Sequence, residues 1–282
     1  MPELPEVETT LRGIETHILD KKILSINVRQ PSLRWAVPVD LLINKLTNNT
    51  FSGIKRRGKY LLLECSNEFL IIHLGMSGSL RIAEYDDIKK HDHIDLVFED
   101  NSILRYCDPR RFGCFLWTDD PNNHFLLKNL GPEPLGNIFN GKYLFETSRK
   151  RKTPVKNFIM NSKVVVGVGN IYANEALFKA KIRPTRQAGK ISLNQYEALS
   201  MEIVSVLRKS INKGGTTLRD FIRSNNKPGY FKTELMVYGR TGKACKKCSS
   251  HLKEIRLSQR SSVYCPKSVS YTHLTLPTIY SV

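Results

Sequence analysis

The stretch Met1-Pro2-Glu3-Leu4-Pro5-Glu6 opens the chain, and the rest of the sequence is organised around it. Removal of the initiator methionine would leave the secondary amine of Pro2 as the chain terminus. A terminal amine has a pKa of about 7.7–8.0, so part of it is unprotonated at neutral pH and can attack an electrophilic carbon to form a Schiff base. Glu3 lies beside this amine, where it can give or take a proton. The competing interpretation of the hexapeptide alone is an ordinary N-terminal helix with a charged surface.

The residues that follow predict a helix that anchors this terminus. Pro5 and Glu6 suit a first helical turn, because proline is tolerated there and acids favour the positive end of the helix dipole. Apolar residues then recur at helical spacing and predict a buried stripe: Val7, Leu11 and Ile14.

Short apolar segments with tight polar connections come next and predict a β-sandwich or barrel. Leu24, Ile26 and Val28 alternate with polar residues. Further strand-like runs lie at residues 60–63, 69–72, 94–98, 103–106 and 115–117. The pattern stops at the Pro/Gly-rich residues 130–136, which we interpret as an interdomain linker.

Beyond the linker the periodicity is helical. Ser192-Leu193-Asn194-Gln195 is a capping box that predicts a helix start, and Gly214-Gly215 predicts its end. The apolar side of this helix is predicted to comprise Leu193, Tyr196, Leu199, Ile203 and Leu207.

The charge of the chain points to a polyanionic partner. Its 282 residues include 44 Lys and Arg against 26 Asp and Glu, for a formal net charge of +18. Nucleic acid is the first candidate and an anionic membrane surface the second. No run of about 18 apolar residues predicts a membrane span, and the Glu-rich N-terminus does not resemble a signal peptide.

Cysteine usage indicates a metal site rather than disulfides. Cys65, Cys107 and Cys114 are scattered and predicted to be small buried side chains. Cys245-Lys246-Lys247-Cys248 and the later Cys265 supply three of the four ligands that a zinc ribbon needs. The fourth cysteine would fall at position 268, which is Ser268.

The composition also changes at this point. Residues 268–282 contain no Lys, Arg, Asp or Glu, although the preceding segment is rich in basic residues. Our hypothesis is that this tail is a frameshift or read-through from foreign sequence, and that the zinc site is incomplete.

Three other segments carry candidate binding residues. Two glycines precede a predicted helix in residues 166–175, where Asn170 could cap a phosphate-binding helix terminus. His91-Asp92-His93 could contact a phosphate or a metal, but no third ligand is apparent. Met76 and the Arg110-Arg111-Phe112 segment could place apolar and cationic tips on loops, as in proteins that unstack a duplex.

From Pro2 to about Lys267 the chain closely resembles the formamidopyrimidine-DNA glycosylase family. The matching motifs occur in the family's order. They are Pro2-Glu3-Leu4-Pro5-Glu6-Val7-Glu8, Lys59-Tyr60-Leu61-Leu62-Leu63, His73-Leu74-Gly75-Met76-Ser77-Gly78, Asp108-Pro109-Arg110-Arg111-Phe112-Gly113, Val166-Gly167-Val168-Gly169-Asn170-Ile171-Tyr172-Ala173 and Lys227-Pro228-Gly229-Tyr230-Phe231.

The resemblance implies an α+β multidomain fold with three domains and a tail. Residues 1–131 would form an N-terminal catalytic β-sandwich with an attached helix. Residues 132–231 would form a helix-two-turn-helix DNA-binding domain. Residues 235–268 would form a zinc-finger β-hairpin with one structural zinc ion, and residues 269–282 the non-native tail.

The resemblance also implies a base-excision repair enzyme with glycosylase and AP-lyase activities. It would remove oxidised purines such as 8-oxoguanine and formamidopyrimidines from duplex DNA and cleave the strand by β,δ-elimination. The implied catalytic residues are Pro2 as nucleophile, Glu3 as acid, Lys59 in β-elimination and Arg260 in δ-elimination.

The remaining implied residues bind DNA. Positions His91, Arg110, Lys152, Lys156, Asn170 and Tyr238 match DNA contacts. Met76, Arg110 and Phe112 match a triad that fills the gap left by the flipped nucleotide. The loop from Arg219 to Tyr230 matches a segment that covers the extruded base. We expect a monomer of bacterial type that works in the cytoplasm, associated with the nucleoid and with no membrane.

Two alternatives remain at this point. One is an endonuclease VIII-like glycosylase for oxidised pyrimidines, against which the separate Met76 and Arg110/Phe112 loops argue. The other is a non-catalytic DNA-binding protein with a zinc hairpin, against which Pro2, Glu3 and Lys59 argue because binding alone requires none of them.

Overall fold

We describe the fold from a computed structural model, in which residues 2–85, 87–215 and 234–269 are described. The helices are α1 (Leu4–Ile18), α2 (Val39–Leu46), α3 (Gly141–Ser148), α4 (Val155–Ile159), α5 (Asn170–Lys179) and α6 (Leu193–Asn212), with a 3-10 turn at Ala188–Lys190. The strands are β1 (Ile23–Val28), β2 (Gly53–Arg57), β3 (Tyr60–Cys65), β4 (Glu68–His73), β5 (Ser79–Ala83), β6 (Asp92–Phe98), β7 (Ile103–Cys107), β8 (Cys114–Thr118), β9 (Lys253–Leu257) and β10 (Arg260–Tyr264).

The N-terminal half is a β-sandwich, as predicted. One antiparallel sheet has the order β1-β6-β7-β5 and the other the order β2-β3-β4-β8. Inward-facing residues of both sheets form one core with the apolar stripe of α1, in which Val7, Leu11 and Ile14 are buried. The predicted β1 alternation is wrong at its start, because a register shift between Ile23 and Ser25 leaves Leu24 exposed.

The second half is helical and carries the hairpin β9–β10. The Ser192–Gln195 capping box starts α6 as predicted, and Gly214 and Gly215 follow its end with positive φ. Leu193 is exposed rather than part of the apolar side, because it lies in the first turn, ahead of the buried residues from Tyr196 onward. The predicted fold class, a β-sandwich followed by helices and a C-terminal hairpin, is confirmed.

The predicted linker contacts the turn between β2 and β3 through the Glu133 carboxylate and through the carbonyls of Leu130 and Gly131, which accept from Arg57 (2.9 and 2.7 Å). Glu133 accepts a hydrogen bond from the Gly58 backbone N–H (2.6 Å) and pairs with Arg56 (2.7 Å) and Arg57 (3.1 Å). It therefore fixes the turn between β2 and β3 against the helical half. In the part of the chain that the structure describes, no helix has the length and apolar content needed to cross a membrane.

Candidate active site

The carboxylate of Glu3 is held at the N-terminus of α5. Its oxygens accept hydrogen bonds from the backbone N–H groups of Gly169 (2.8 Å), Ile171 (2.9 Å) and Tyr172 (3.5 Å). Glu3 is buried and is also the N-cap of α1, where its own N–H donates to Glu6 at 2.9 Å. One residue thus joins the start of the chain to the glycine-rich segment 166 positions later.

This arrangement corrects the sequence-based interpretation of residues 166–175. The N-cap of α5 is Gly169, and Asn170 is the first helical residue. The N–H groups expected to bind a phosphate instead bind Glu3, an anion supplied by the protein itself. Gly169 has no side chain, which is what lets Glu3 approach: a Cβ there would lie 2.6 Å from Glu3 Cγ and closer to its carboxyl carbon.

Lys59 faces this carboxylate from the sandwich. It lies in the two-residue turn between β2 and β3, because the strand pairing ends at Arg57 and Tyr60. Gly58 in the same turn adopts a positive φ and packs against Val166, where a Cβ would lie 3.0 Å from the valine Cβ. The turn that presents Lys59 is therefore fixed by contacts with the helical half.

Burial and mutual charge shift the pKa values of both groups. Burial raises the pKa of Glu3, Lys59 opposes that shift, and Glu6 adds to it. Burial lowers the pKa of Lys59, an effect that the two glutamates oppose and Arg260 reinforces. A carboxyl whose pKa is raised beside an amine whose pKa is lowered is suited to donating and accepting protons in a reaction.

Lys156 connects this centre to the C-terminal hairpin. Its side chain is buried, and its ammonium donates to the Ser261 carbonyl (2.6 Å) and to Ser262 Oγ (2.7 Å). Burial and nearby Arg260 lower the pKa of Lys156 to about 8. The structure thus uses this predicted DNA contact to hold β10, the strand whose first residue is the exposed Arg260.

Two polar residues of α5 fix the segment around Tyr238. The Glu175 carboxylate accepts hydrogen bonds from the backbone N–H groups of residues 236, 237 and 238, each at 2.9 Å. Asn174 Oδ1 accepts from the Val263 N–H at 2.8 Å. Burial and then the charge of Glu3 raise the pKa of Tyr238, while a hydrogen bond with Asn170 lowers it. Asn170 and Tyr238 therefore lie together at the same centre.

The loops of the predicted gap-filling triad are joined by Asp108. Its fully buried carboxylate accepts hydrogen bonds from Ser77 Oγ (2.8 Å) in the Met76 loop and from the Gly113 N–H (2.9 Å) in the other loop. Met76 is 40% exposed and Phe112 42% exposed. Apolar side chains this exposed at adjacent loop tips are available to a partner. The Arg110 guanidinium lies over the Phe112 ring at 4.8 Å.

The remaining predicted positions are His91 and Lys152, which are described, and two residues that lie outside the described part of the chain. His91 is half-buried, and its carbonyl accepts from the Asp108 N–H (3.1 Å). His93 is buried and bonded through Nε2 to the Asp108 carbonyl (2.8 Å), and among the described residues neither it nor His91 belongs to a group of three or more candidate metal ligands. Lys152 is exposed. Arg219 and Tyr230 fall outside the described residues, as do residues 270–282.

Three cysteines form the candidate metal centre. The Sγ atoms of Cys245, Cys248 and Cys265 lie within 4.8 Å of one another, and Cys245 and Cys265 are buried. Three thiols converging on one point form a donor set that suits zinc. His251 is exposed and is not among the side chains that converge there, and its Nδ1 contacts the Gly242 carbonyl at 3.0 Å. The residues present therefore fit a zinc ion, with the fourth donor to be supplied at or near Ser268.

Sequence reasoning missed the residues that position the others. Asp108, Glu133 and Glu175 are buried or half-buried acids, and each accepts at least one hydrogen bond from a backbone N–H group. Their only sequence signal is an acidic residue next to a Pro or Gly, or within an apolar helix, in a strongly basic chain. The identity of their partners depends on the tertiary fold.

Comparison with known proteins finds similar sequences along nearly the whole chain. Three family models match the chain: the formamidopyrimidine-DNA glycosylase N-terminal domain over residues 1–115, the formamidopyrimidine-DNA glycosylase H2TH domain over residues 130–222, and the zinc finger found in FPG and IleRS over residues 242–267. The formamidopyrimidine-DNA glycosylase of Saccharophagus degradans is 58% identical, and the alignment covers 94% of this chain and 98% of that protein. The one from Cellvibrio japonicus is 56% identical with the same coverage.

Solved structures are similar along nearly the whole chain. A complex between the Lactococcus lactis Fpg and DNA that contains an abasic site gives a TM-score of 0.88 at 35% identity, over 95% of this chain and 100% of that one. A MutM complex with carbocyclic 8-oxo-G-containing DNA gives a TM-score of 0.87 at 36% identity, over 96% of this chain and 100% of that one. With three family models in order and relatives well over half identical along almost its entire length, the chain belongs to the formamidopyrimidine-DNA glycosylase family.

Proposed function

We propose that Pro2, Glu3, Lys59 and Arg260 are the catalytic residues of this chain. As a member of its family the chain is a base-excision repair glycosylase with AP-lyase activity, and it acts on oxidised purines in double-stranded DNA. The observation that carries our assignment of residues is the buried Glu3 carboxylate, held between the α5 N-terminus and Lys59 directly beside Pro2. The two alternatives considered above, a glycosylase for oxidised pyrimidines and a non-catalytic DNA-binding protein, are therefore not adopted.

In this proposal the Pro2 amine attacks the sugar carbon that bears the damaged base. Once Met1 has been removed, this nitrogen is a secondary amine; while Met1 is present, it is an amide and cannot attack. The bond to the base breaks as the bond to Pro2 forms, and the amine proton leaves with the base. The sugar ring then opens at the bond between that carbon and the ring oxygen, which gives a protonated Schiff base. Glu3, whose pKa is raised by burial, donates a proton to the opening sugar.

Lys59 and Arg260 then act on the strand. The Schiff base makes the adjacent sugar protons acidic, and Lys59, with its lowered pKa, can remove one so that the first phosphate leaves. Arg260 is exposed at the start of β10, close enough to affect the pKa of both Lys59 and Lys156. A permanently charged guanidinium there suits binding of the second phosphate as it leaves.

The loops of the sandwich handle the duplex. The target nucleotide must be extruded, because its sugar carbon is shielded within the stack. Met76, Arg110 and Phe112 are placed to fill the resulting gap, which offsets part of an unstacking cost of roughly a few kcal/mol. His91, Lys152, Asn170 and Tyr238 complete the proposed DNA contacts, which Lys156 supports by holding β10. Arg219 and Tyr230 form the proposed cover over the extruded base.

Zinc has a structural role. Cys245, Cys248 and Cys265 would hold the ion, which stabilises the turn beneath β9 and β10 and takes no part in the reaction. We further propose the domain limits 1–131, 132–231 and 235–268 and a non-native tail at 269–282. We also propose that the protein acts in the bacterial cytoplasm, in association with the nucleoid. The bacterial sources of the relatives and the net charge of +18 support this location.

Borohydride trapping on an 8-oxoguanine duplex tests the assignment of the nucleophile. Protein that begins at Pro2 should form a covalent adduct with the lesion strand, whereas protein that retains Met1 should not. Lys59→Met serves as the matched variant, because it removes the other amine beside Glu3 while leaving Pro2 in place. This variant should still form the covalent adduct through Pro2 once the damaged base has been removed, but it should cleave the strand poorly. Equal trapping with and without Met1, together with loss of trapping in Lys59→Met, would assign the nucleophile to Lys59.

A further inference from the structure

A serine hydroxyl lies beside the three thiols of the cysteine cluster, at the position of a fourth tetrahedral ligand. Ser268 Oγ lies 3.6 Å from Cys245 Sγ and 3.2 Å from Cys248 Sγ, and the Sγ atoms of Cys248 and Cys265 are 3.4 Å apart. Around tetrahedral zinc two thiolates stand about 3.8 Å apart, and a thiolate and an oxygen ligand about 3.6 Å apart, given bond lengths of about 2.3 and 2.1 Å. The oxygen of Ser268 therefore lies where a fourth ligand belongs.

The chain turns in the same way at residues 245–249 and at residues 265–269, so residue 268 in the second turn corresponds to Cys248 in the first. In the first turn the Ser249 N–H donates to the Cys245 carbonyl at 2.9 Å. In the second turn the Val269 N–H donates to the Cys265 carbonyl at 3.2 Å. Both turns therefore bring the residue three positions after a cysteine back to the metal, and Ser268 occupies the position equivalent to Cys248.

A second hydroxyl near the cluster has a different geometry. Ser250 Oγ is 2.7 Å from Cys248 Sγ and 3.7 Å from Cys265 Sγ. The shorter distance is well below the separation of two ligands on one zinc ion and is that of a hydrogen bond. Ser250 is therefore placed to donate to the sulfur of Cys248 rather than to bind the metal.

We propose that Ser268 is the fourth zinc ligand of this chain, so that three thiolates and one hydroxyl oxygen bind the ion. Such a site has a formal charge of −1, whereas four thiolates would give −2. It should bind zinc with one-to-one stoichiometry but more weakly than a four-thiolate site, because a neutral hydroxyl is a poorer donor to zinc than a thiolate.

The test is spectroscopy of the full-length chain loaded with Co²⁺ in place of zinc, combined with metal affinity measured by competition with a chromophoric chelator. Ser268→Cys should shift the Co²⁺ d–d bands, increase the sulfur-to-metal charge-transfer absorption, and raise the affinity. In Ser268→Ala the affinity should fall about tenfold or more, and added imidazole should alter the bands by entering the open position. Ser250→Ala is the matched control: it removes only a hydrogen bond to Cys248 Sγ, so it should shift the bands less than Ser268→Cys does and leave the site closed to imidazole.

Three results would overturn the proposal. One is a Ser268→Cys spectrum identical to that of the unaltered chain, which would show that residue 268 does not touch the metal. A second is equal affinity and equal imidazole response in Ser268→Ala and the unaltered chain. The third is a shift of the bands in Ser250→Ala alone, which would assign the oxygen ligand to Ser250. The spectra report on the metal directly, so they do not depend on catalytic activity. If Ser268→Ala does not fold, Ser268→Cys still decides the matter.

Discussion

Replacement of Gly169 by alanine should displace Glu3 without straining the backbone. Gly169 has φ −112°, a value that any residue adopts, so only the added methyl group matters. Its position, 2.6 Å from Glu3 Cγ, is short of ordinary contact by about 1 Å, and the carboxyl group must move by roughly that amount.

The magnitude follows from what Glu3 would lose. A displacement of about 1 Å in a reacting group costs roughly 10²-fold in rate, and complete loss of a general acid costs about 10²–10⁴-fold. Gly169→Ala should therefore excise 8-oxoguanine at least about 10²-fold more slowly. The overpacking itself should destabilise the protein by about 1–3 kcal/mol.

The assay is single-turnover base excision from a lesion duplex, together with thermal unfolding. Gly136→Ala is the control, because a Cβ there makes only ordinary contacts at 3.4 and 3.6 Å, and it should excise at the unaltered rate. In a Glu3→Gln background the Gly169→Ala change should add little further loss, because both changes act on one carboxylate. An unaltered excision rate in Gly169→Ala would show that the added methyl group does not displace the Glu3 carboxylate. A full additional loss in the double variant would show that the two changes act on different groups.

Three further predictions concern DNA binding, the gap-filling loops and pH. Lys152 is exposed, whereas Lys156 is buried against β10. Lys152→Ala should therefore lower the log–log salt slope of duplex binding by about one unit, and Lys156→Ala should instead weaken lesion binding and lower the melting temperature. The reverse pattern would contradict the placement of Lys156. Ser77→Ala removes the hydrogen bond to Asp108 and should slow excision from duplex DNA more than AP-site cleavage in single-stranded DNA; equal slowing on both substrates would argue against coupling of the two loops. Burial lowers the pKa of His73 to about 4, so the unfolded chain binds the proton more readily and stability should fall as pH drops from about 6.5 towards 4, by at most about 1.4 kcal/mol per pH unit. Unfolding measured across this pH range should show a smaller slope for His73→Gln, and an unchanged slope would show that His73 is not the titrating group.

The sequence predicted the elements of the fold where local pattern decides the structure. The α1 stripe, the strand runs of the sandwich and the Ser192–Gln195 capping box follow from side-chain periodicity and capping chemistry, and all of them are present. The errors at Leu24 and Leu193 come from a bulge and from a first helical turn, neither of which periodicity can detect.

The site was predictable in its residue types but not in its internal contacts. The interpretation of residues 166–175 as a phosphate site recognised an anion-binding helix terminus, but the anion is Glu3. Pairing between residues 166 positions apart carries no local signal, so the identity of the anion could only come from the tertiary structure. The buried state of Lys156 is a second example, because its partners lie on a hairpin 105 and 106 residues later.

Helix α5 has a consequence for engineering by domain exchange. Its N-terminus holds Glu3, while Asn174 and Glu175 near its middle hold the hairpin and residues 236–238. A chain cut before residue 234, or a chimera that joins this finger to a distant relative's helices, would leave two buried polar side chains in α5 without the backbone groups that satisfy them. The unit of recombination is therefore α5 together with the finger, rather than the finger alone.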